Sequence, residues 1–196
     1  PQPRGRGRRG RTWHASLGGS LTFSLLWRFS QGASALSGLS LAVGVALMRA
    51  LEQAGIYDAR LKWPNDVLHQ QQKLAGILIE LQGDMLGPST AVIGIGLNLK
   101  LTAPARANID QAATDIAAIR SELPNRNHLL ALILDHLSDV LLQFEEEGFG
   151  RLREEWSRHH AYHDQPVRML LPDGSEFHGR VTGVAGGVAG ATAGLG

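Results

Sequence analysis

The stretch that decides the fold runs from residue 60 to residue 81 and reads RLKWPNDVLHQQQKLAGILIEL. It contains three short strand-like runs, of which the last is the most apolar, separated by two polar turns. The runs are Arg60–Lys62, Val67–His69 and Lys73–Leu81, and the turns are Trp63–Asp66 and Gln70–Gln72. Apolar runs bounded by turn residues are typical of β-strands. Pro64 also forces the preceding residue into an extended conformation. The stretch therefore predicts consecutive short strands joined by tight turns.

Strands and helices alternate through the rest of the chain. The remaining strands are predicted at Ser20–Phe29 and Thr90–Leu99. Apolar residues recur at helical spacing from Leu36 to Ala54 and from His128 to Phe144. A short helix is predicted at Leu152–His160, and a weakly helical pattern covers Asn108–Leu123. The predicted fold class is α+β, with a mixed, largely antiparallel sheet packed on helices.

The pattern changes after His163. Val167–Leu171 and Glu176–Thr182 flank the turn residues Pro172–Ser175, which predicts a β-hairpin. We place a domain boundary near Asp164, giving a first domain of residues 1–163 and a second of residues 164–196. Residues 183–196 contain only Gly, Ala, Val, Thr and Leu, which is typical of a low-complexity segment or of a reading-frame artefact.

Composition limits the classes of function. The 196 residues fit one domain with a small appendage, and 43% hydrophobic residues suffice for a sizeable core. A net charge of +1 argues against a broad basic surface, and the absence of cysteine excludes thiol catalysis and disulfides. The chain is therefore expected to work in a reducing compartment, the cytoplasm. The uncharged segment Gly32–Met48 is interpreted as a buried helix, because serines interrupt a stretch that barely reaches membrane-spanning length.

Positive charge is concentrated near the start of the chain. Residues 5–11 read GRGRRGR, and Trp13 follows. Glycines allow close approach of the backbone to a ligand, and guanidinium groups suit phosphate or carboxylate. Five of the nineteen basic residues lie within Arg4–Arg11, which favours a small anionic ligand over a long nucleic-acid track. The alternatives are an RNA-binding tail or a solvated basic segment without a role.

Three further clusters carry candidate chemistry, each with a structural alternative. Asn65 and Asp66 offer oxygen ligands suited to Mg²⁺ or a nucleotide, or form an ordinary turn. Lys73 could project into a site whose wall a ligand approaches at Gly76, or protect an edge strand. The glycines of Gly94–Asn98 indicate either close approach of a ligand, or a β-bulge or tight packing.

In this order and at this spacing, the four motifs resemble those of the biotin protein ligases, or biotin–[acetyl-CoA-carboxylase] ligases. The matching segments are Gly5–Arg11 with Trp13, Lys62–Asp66, Lys73–Glu80 and Gly94–Asn98, and the resemblance extends roughly from Gln2 to Thr182. It implies a class II synthetase-like catalytic domain followed by an SH3-like β-domain. It also implies ATP-dependent ligation of biotin to a lysine of a biotin carboxyl carrier protein through biotinyl-5′-AMP, with Mg²⁺.

The resemblance also implies roles for individual residues, and Lys73 and Arg8 take the catalytic ones. The implied biotin-binding residues are Gln2, Gly5, Arg6, Gly7, Arg8, Lys73, Gly76 and Gly96. The implied ATP- and adenylate-binding residues are Arg9, Arg11, Trp13, Lys62, Asn65, Asp66 and Asn98, with Asn65 and Asp66 also near Mg²⁺. His159, His160 and His163 are instead expected at the surface or between domains.

The chain also departs from the family pattern. Arg4 stands where the family has a small residue, and the upstream segment that lines the biotin pocket is missing from the sequence. We therefore expect an N-terminally incomplete catalytic core. The C-terminal SH3-like domain is also expected to be incomplete, because the Gly- and Ala-rich residues 183–196 depart from the strands that the family has there. A homodimer is expected and a membrane partner is not; DNA binding would require a preceding helix-turn-helix domain. A lipoate ligase, an RNA-binding module and a structural scaffold remain the alternatives, separable by ligand competition, salt dependence and pyrophosphate exchange.

Overall fold

The structure is a computed structural model that describes residues 5–7, 10, 12–13, 18–109, 111–170 and 174–184. A two-stranded hairpin, Gly5–Arg6 (β1) and Thr12–Trp13 (β2), precedes the main sheet. The other strands are Ser20–Phe29 (β3), Ala59–Lys62 (β4), Asp66–His69 (β5), Gln72–Gly83 (β6), Ser89–Asn98 (β7), Pro166–Leu170 (β8) and Glu176–Arg180 (β9). The α-helices are Leu39–Gln53 (α1), Ala103–Ala107 (α2), Ile116–Ile119 (α3), Arg126–Glu147 (α4) and Arg153–Arg158 (α5).

The main sheet has five antiparallel strands in the order β3-β7-β6-β5-β4. The predicted turn between β5 and β6 is confirmed, with positive φ angles of 47° at Gln70 and 66° at Gln71. A register shift between Val67 and Leu68 interrupts the β5–β6 pairing. This irregularity brings Lys73 opposite Leu68 while Gly76 lies opposite Asp66.

One face of the sheet forms the core with α1 and α4. Helix α1 is buried on most sides, as expected from its apolar residues at more than one helical face. Helix α4 buries one stripe that includes Ile133, Leu137 and Phe144. The β-strands contribute alternate residues such as Ile77 and Ile95, which are 3% and 2% exposed. The residues between them, including Gly76 and Gly96, therefore belong to the opposite face of the sheet.

Two single parallel bridges extend the sheet, and they account for its mixed character. Leu61 N donates to His159 O at 2.8 Å, and Ala161 N donates to Leu61 O at 2.8 Å, so residues 159–161 cover the edge of β4. Lys73 forms the second bridge, with Ala113. The predicted helical character of Asn108–Leu123 is wrong for residues 111–115, because this segment pairs with β6; only Ile116–Ile119 is helical there.

The predicted C-terminal hairpin is confirmed as β8 paired with β9, and β9 ends two residues earlier than predicted. It is joined to the preceding segment by a backbone hydrogen bond from Asp164 N to Val181 O at 2.8 Å. Residues 171–173 of the predicted turn and residues 185–196 lie outside the described residues. The domain boundary near Asp164 and the SH3-like character of the second domain stay predictions.

Candidate functional site

The floor of the candidate site is a row of four residues across the sheet. Thr22 lies opposite Gly96, Gly96 opposite Gly76, and Gly76 opposite Asp66. Directly opposed residues of antiparallel strands share a face. Two adjacent glycines therefore leave a shallow depression between Thr22 on one side and Asp66 on the other.

The indole of Trp13 lies in this depression. An ideal Cβ at Gly96 would be 2.4 Å from Trp13 Cε2, and one at Gly76 would be 3.4 Å from Trp13 Cζ3. The hairpin β1–β2 brings the indole there, and an ideal Cβ on Gly5 would lie only 2.6 Å from the Trp13 carbonyl oxygen. Glycine is therefore needed for space at Gly96 and Gly5, whereas a Cβ at Gly76 would make tight contacts of 3.1 Å with Lys73 Cε and 3.4 Å with Trp13. Since the indole fills the space above Gly76 and Gly96, their assignment to the biotin ring stays a prediction.

Lys73 reaches into the same depression from the start of β6. Its ammonium lies 2.7 Å from Asp66 Oδ1, and the two side chains are 18% and 16% exposed. The pairing is electrostatic, because Asp66 Oδ1 forms no well-directed hydrogen bond. Lys73 Nζ also lies 5.8 Å from the centroid of the Trp13 ring, within the range of a cation–π contact. A positive charge is thus held beside an aromatic surface and a carboxylate.

The backbone of Lys73 is fixed by a segment far away in sequence. Lys73 N donates to Ala112 O at 2.9 Å, and Lys73 O accepts from Thr114 N at 3.0 Å. Asn98 Nδ2 donates to Thr114 O at 3.0 Å and more weakly to Lys73 O at 3.4 Å. Asn98 is 2% exposed. The amide group of this predicted nucleotide-binding residue thus anchors the lysine, and its oxygen Oδ1 has no hydrogen-bond partner.

The buried Asp115 holds residues 112–114, the segment that pairs with Lys73, in place. Asp115 Oδ1 accepts from Ala118 N at 2.8 Å and caps α3, and its Oδ2 accepts from Leu101 N at 2.9 Å. Arg106 pairs with the same oxygen at 2.9 Å. Asp115 therefore ties the connection after β7 to the strand-like segment that holds Lys73. This support leaves no signal in the sequence, since an Asp before a short apolar run indicates only a local helix cap.

The turn between β4 and β5 is attached to β6. Asn65 Nδ2 donates to Ile77 O at 2.7 Å, and Ile77 N donates to Asn65 O at 2.9 Å. Lys62 lies opposite Asp66 across the turn, and the intervening Trp63–Pro64 peptide bond is cis. The side chain of Asn65 thus helps to place Asp66 beside Lys73. Among the described residues, no group of three His, Asp or Glu side chains could hold a metal ion, so Mg²⁺ coordination by Asn65 and Asp66 stays a prediction.

The glycine- and arginine-rich segment is described only in part. Arg6 Nη1 lies 3.4 Å from Glu80 Oε1, and both side chains are largely exposed, at 76% and 47%. This places the guanidinium of Arg6 beside β6, four residues beyond Gly76, so the structure does not bring it to the Lys73 ammonium. Gly7 is half-buried. The predicted site residues Gln2, Arg8, Arg9 and Arg11 lie outside the described residues, as does Arg4.

The histidines do not join this site. His160 is 8% exposed and stacks on Trp156 with ring centroids 4.6 Å apart, so a place at the surface is wrong for this residue, and a place between domains stays a prediction. Burial and, to a lesser extent, His163 lower the pKa of His160 to about 4. Burial also lowers the pKa of His159, although Glu52 opposes this change. Both residues lie in the segment that bridges to Leu61 of β4. Strand β4 is the edge of the sheet opposite to β3.

The structure defines the class of this domain, and comparison with known proteins defines its family. The fold and the candidate site define a class of domain built on an antiparallel sheet, with a lysine–aspartate pair and a tryptophan on one face of that sheet. The chain belongs to the biotin/lipoate A/B protein ligase family, whose model matches residues 1–98.

The similar proteins agree with this assignment. The bifunctional ligase/repressor BirA of Escherichia coli is 35% identical over 176 residues, which is 90% of this chain and 54% of that protein. The biotin–[acetyl-CoA-carboxylase] ligase of Paracoccus denitrificans is 34% identical and is covered to 76%, against 92% of this chain. The structure of the Aquifex aeolicus biotin protein ligase in complex with biotin and ATP superposes with a TM-score of 0.77 at 29% identity, covering 94% of this chain and 75% of that one. The chain spans about half the length of the Escherichia coli protein.

In the part of the chain that the structure describes, no helix combines the length and the apolar character needed to cross a bilayer.

Proposed function

We propose that this chain is the catalytic part of an enzyme that joins biotin to a carrier-protein lysine at the expense of ATP. The observation that carries the proposal is the Lys73–Asp66 pair, whose Nζ and Oδ1 atoms are 2.7 Å apart. The pair lies beside the Trp13 indole, which packs over Gly76 and Gly96. It combines a fixed positive charge with an aromatic surface. The similarity to the Paracoccus denitrificans ligase, which extends over most of both chains, supports biotin as the substrate.

In the first half-reaction, a carboxylate oxygen of biotin attacks the α-phosphorus of ATP. A bond forms between them, the bond to the β-phosphate oxygen breaks, and pyrophosphate leaves with the electron pair. Negative charge accumulates on the α-phosphate during this step. The ammonium of Lys73 would stabilise it, because a preorganised charge costs no reorganisation when the reaction occurs. Lys73 acts here as an electrostatic group and not as a nucleophile.

In the second half-reaction, the neutral amine of the carrier lysine attacks the carbonyl carbon of biotinyl-5′-AMP. An amide bond forms, the bond between the carbonyl carbon and the phosphate oxygen breaks, AMP leaves with the electron pair, and the amine nitrogen releases one proton to water. The charge on the departing phosphate again lies near Lys73. We propose that Arg8 also faces this phosphate and that Gly5–Arg11 closes over the adenylate, excluding water until the carrier arrives.

Asp66 fits Mg²⁺ only as one ligand among several. Magnesium prefers six oxygen ligands and commonly takes most of them from water and nucleotide phosphates. In this structure the Asp66 carboxylate faces Lys73. We therefore propose that Mg²⁺ arrives with ATP and neutralises phosphate charge, while the contribution of the chain is limited to Asp66 and its neighbour Asn65.

The partner proposed for the second half-reaction is a biotin carboxyl carrier protein or domain. A cytoplasmic location and a homodimer belong to the same proposal, and a role in DNA binding would depend on a separate domain. A lipoate ligase is the second candidate, because the family model covers both substrates. Competition between biotin and lipoate, measured by exchange of labelled pyrophosphate into ATP, separates these candidates.

The test is exchange of labelled pyrophosphate into ATP, measured on the full gene product with and without biotin. Biotin-dependent exchange is expected. Lys73→Ala should slow exchange by about 10²- to 10³-fold, as for removal of other preorganised electrostatic groups, and should change the biotin dissociation constant much less. Lys100→Ala, which removes an exposed lysine outside the site, is the matched control. Normal exchange in Lys73→Ala would remove the lysine from its proposed role.

A further inference from the structure

The backbone of Lys73 is held by a short segment and not by a full neighbouring strand. Strand β6 pairs with β7 from Ala75 onwards, where Ala75 lies opposite Leu97. Lys73 lies two residues before this point and forms a single parallel bridge with Ala113. A bridge of one residue supplies few hydrogen bonds. The position of Lys73 therefore depends on what holds residues 112–114 on their other side.

Arg106 binds that other side. Successive residues of an extended segment direct their carbonyl groups to opposite sides. Since Ala112 O accepts from Lys73 N, the carbonyl group of Ala113 points away from β6. Arg106 Nη1 donates to Ala113 O, and Arg106 Nη2 donates to Asp115 Oδ2 at 2.9 Å. One guanidinium thus fixes both the residue that bridges to Lys73 and the aspartate that follows it.

The ion pair joins an exposed helix to a buried carboxylate. The Arg106 side chain is 44% exposed and the Asp115 side chain is 5% exposed. Helix α2, which carries Arg106, buries none of its residues. A substitution of Arg106 therefore removes two directed hydrogen bonds without opening the core. The planar guanidinium can bind both acceptors in fixed directions, whereas an ammonium is a single point charge.

We propose that Arg106 is a positioning residue for adenylate formation, which holds the Lys73 ammonium in place through the backbone of Ala113 and Thr114. This proposal rests on the proposed function. The Lys73 side chain extends from that backbone to Asp66 Oδ1, 2.7 Å away. A fixed charge stabilises a transition state only where it is correctly placed, and a displacement of about 1 Å can cost about a hundredfold in rate. Arg106 acts through Lys73 and contacts neither biotin nor nucleotide.

The first experiment compares Arg106→Ala and Arg106→Lys with the unsubstituted protein in biotin-dependent exchange of labelled pyrophosphate into ATP. Arg106→Ala should lower kcat about ten- to hundredfold and change the KM for biotin much less. Arg106→Lys should lose nearly as much, because it retains the charge but not the two directed hydrogen bonds. Normal activity of Arg106→Lys would overturn the proposal, since charge alone would then suffice.

The matched control is Arg151→Ala, which also removes an arginine from an ion pair. Arg151 pairs with Glu147 on an exposed surface outside the site, so its loss should leave kcat unchanged. A loss in this control equal to that of Arg106→Ala would contradict a specific role of Arg106.

A double-mutant cycle separates positioning from direct contact. In a Lys73→Ala background, Arg106→Ala should cause no further loss of kcat, because the group that it positions is absent. If Arg106 touched a phosphate, or if it only stabilised the fold, the loss would be the same in both backgrounds. That result would overturn the proposal.

Amide hydrogen exchange of the substrate-free protein tests the positioning without catalysis. The amides of Lys73 and Thr114, which form the bridge, should exchange faster in Arg106→Ala. The amide of Ile77, which donates to the turn before β5, should keep its protection. Unchanged protection of Lys73 and Thr114 would overturn the proposal. Absence of biotin-dependent pyrophosphate exchange in the unsubstituted protein would instead contradict the proposed function.

Discussion

A glycine is required at position 96 because the indole of Trp13 packs directly against it. The structure gives this residue no positive φ, yet an added Cβ would lie within 2.4 Å of the Trp13 ring. A single methyl group at this position must therefore displace the indole, and through it the hairpin β1–β2. The glycines of β6 and β7 thus determine where the Trp13 side chain can pack on the sheet.

The substitution Gly96→Ala tests this dependence. We expect a loss of about 1–3 kcal/mol in the free energy of unfolding, as for other overpacked sites. In a Trp13→Ala background the same substitution should cost much less, because the side chain that it meets is absent. Urea unfolding of the single and double variants measures both values. Gly150→Ala is the control, since an added Cβ there meets nothing within 4 Å. Equal costs in both backgrounds would contradict the role of Trp13.

The sequence allowed some site residues to be predicted better than others. Lys73 and Asp66 come from motifs with local spacing, and the structure brings them together. Thr22 was missed as a site residue, because a polar residue alternating with apolar ones in a strand is an ordinary solvent-facing pattern. What makes it notable is burial without a hydrogen bond, which depends on the register of β3 with β7. Residue type alone carries no signal for that register.

At the scale of elements, an ion pair joins α1 to α5. Arg49 donates to both carboxylate oxygens of Glu155, at 2.8 Å and 2.6 Å. The hydrogen bond from Arg49 lowers the pKa of Glu155, and the same contact raises the pKa of Arg49. The pair is partly buried, with side-chain exposures of 29% and 21%, so it is screened less than a surface pair.

Glu155→Gln is therefore expected to destabilise the protein by about 1–2 kcal/mol, which is below the cost of breaking a fully buried pair. The comparison is Glu147→Gln, whose partner Arg151 lies on an exposed surface and whose loss should cost less than about 0.5 kcal/mol. Thermal unfolding at neutral pH measures both. A similar cost for the two variants would show that the α1–α5 contact does not depend on this pair.

The elements differ in how well the sequence predicts them. Helix α4 was predicted within three residues at each end, because its apolar stripe persists over many turns. The segment around Ala113 was predicted poorly. Its role is to form a single parallel bridge with Lys73, about forty residues earlier in the chain. Pairing between distant segments leaves no periodic trace in either of them.

At the scale of the whole molecule, the buried His160 makes stability depend on pH. Its pKa is about 4 in the folded protein against an ordinary value of 6.5. Below pH 6.5 the unfolded chain therefore binds a proton that the folded chain does not. The free energy of unfolding should fall by up to about 1.4 kcal/mol per pH unit from pH 6.5 down to about 4. His159, whose pKa is also lowered, adds to the same trend.

The substitution His160→Phe separates the two histidines. Phenylalanine retains an aromatic ring against Trp156 but cannot bind a proton, so the slope between pH 6.5 and 4 should become shallower. Glu155 acts in a different range, because its lowered pKa costs stability only as the pH falls below its ordinary value of 4.5. Chemical denaturation at half-unit pH steps gives the slopes. An unchanged slope in the variant would rule out His160 as a source of the dependence.

The bridge between Leu61 and His160 has a consequence for synthesis of the chain. The edge of β4 is covered by residues that follow it by about one hundred positions. At roughly 5–20 residues per second, a ribosome needs about 5–20 seconds to produce them. Throughout that interval the nascent chain presents an uncovered strand edge, which is a site for pairing with other chains. A chaperone that covers this edge during translation would therefore reduce such pairing.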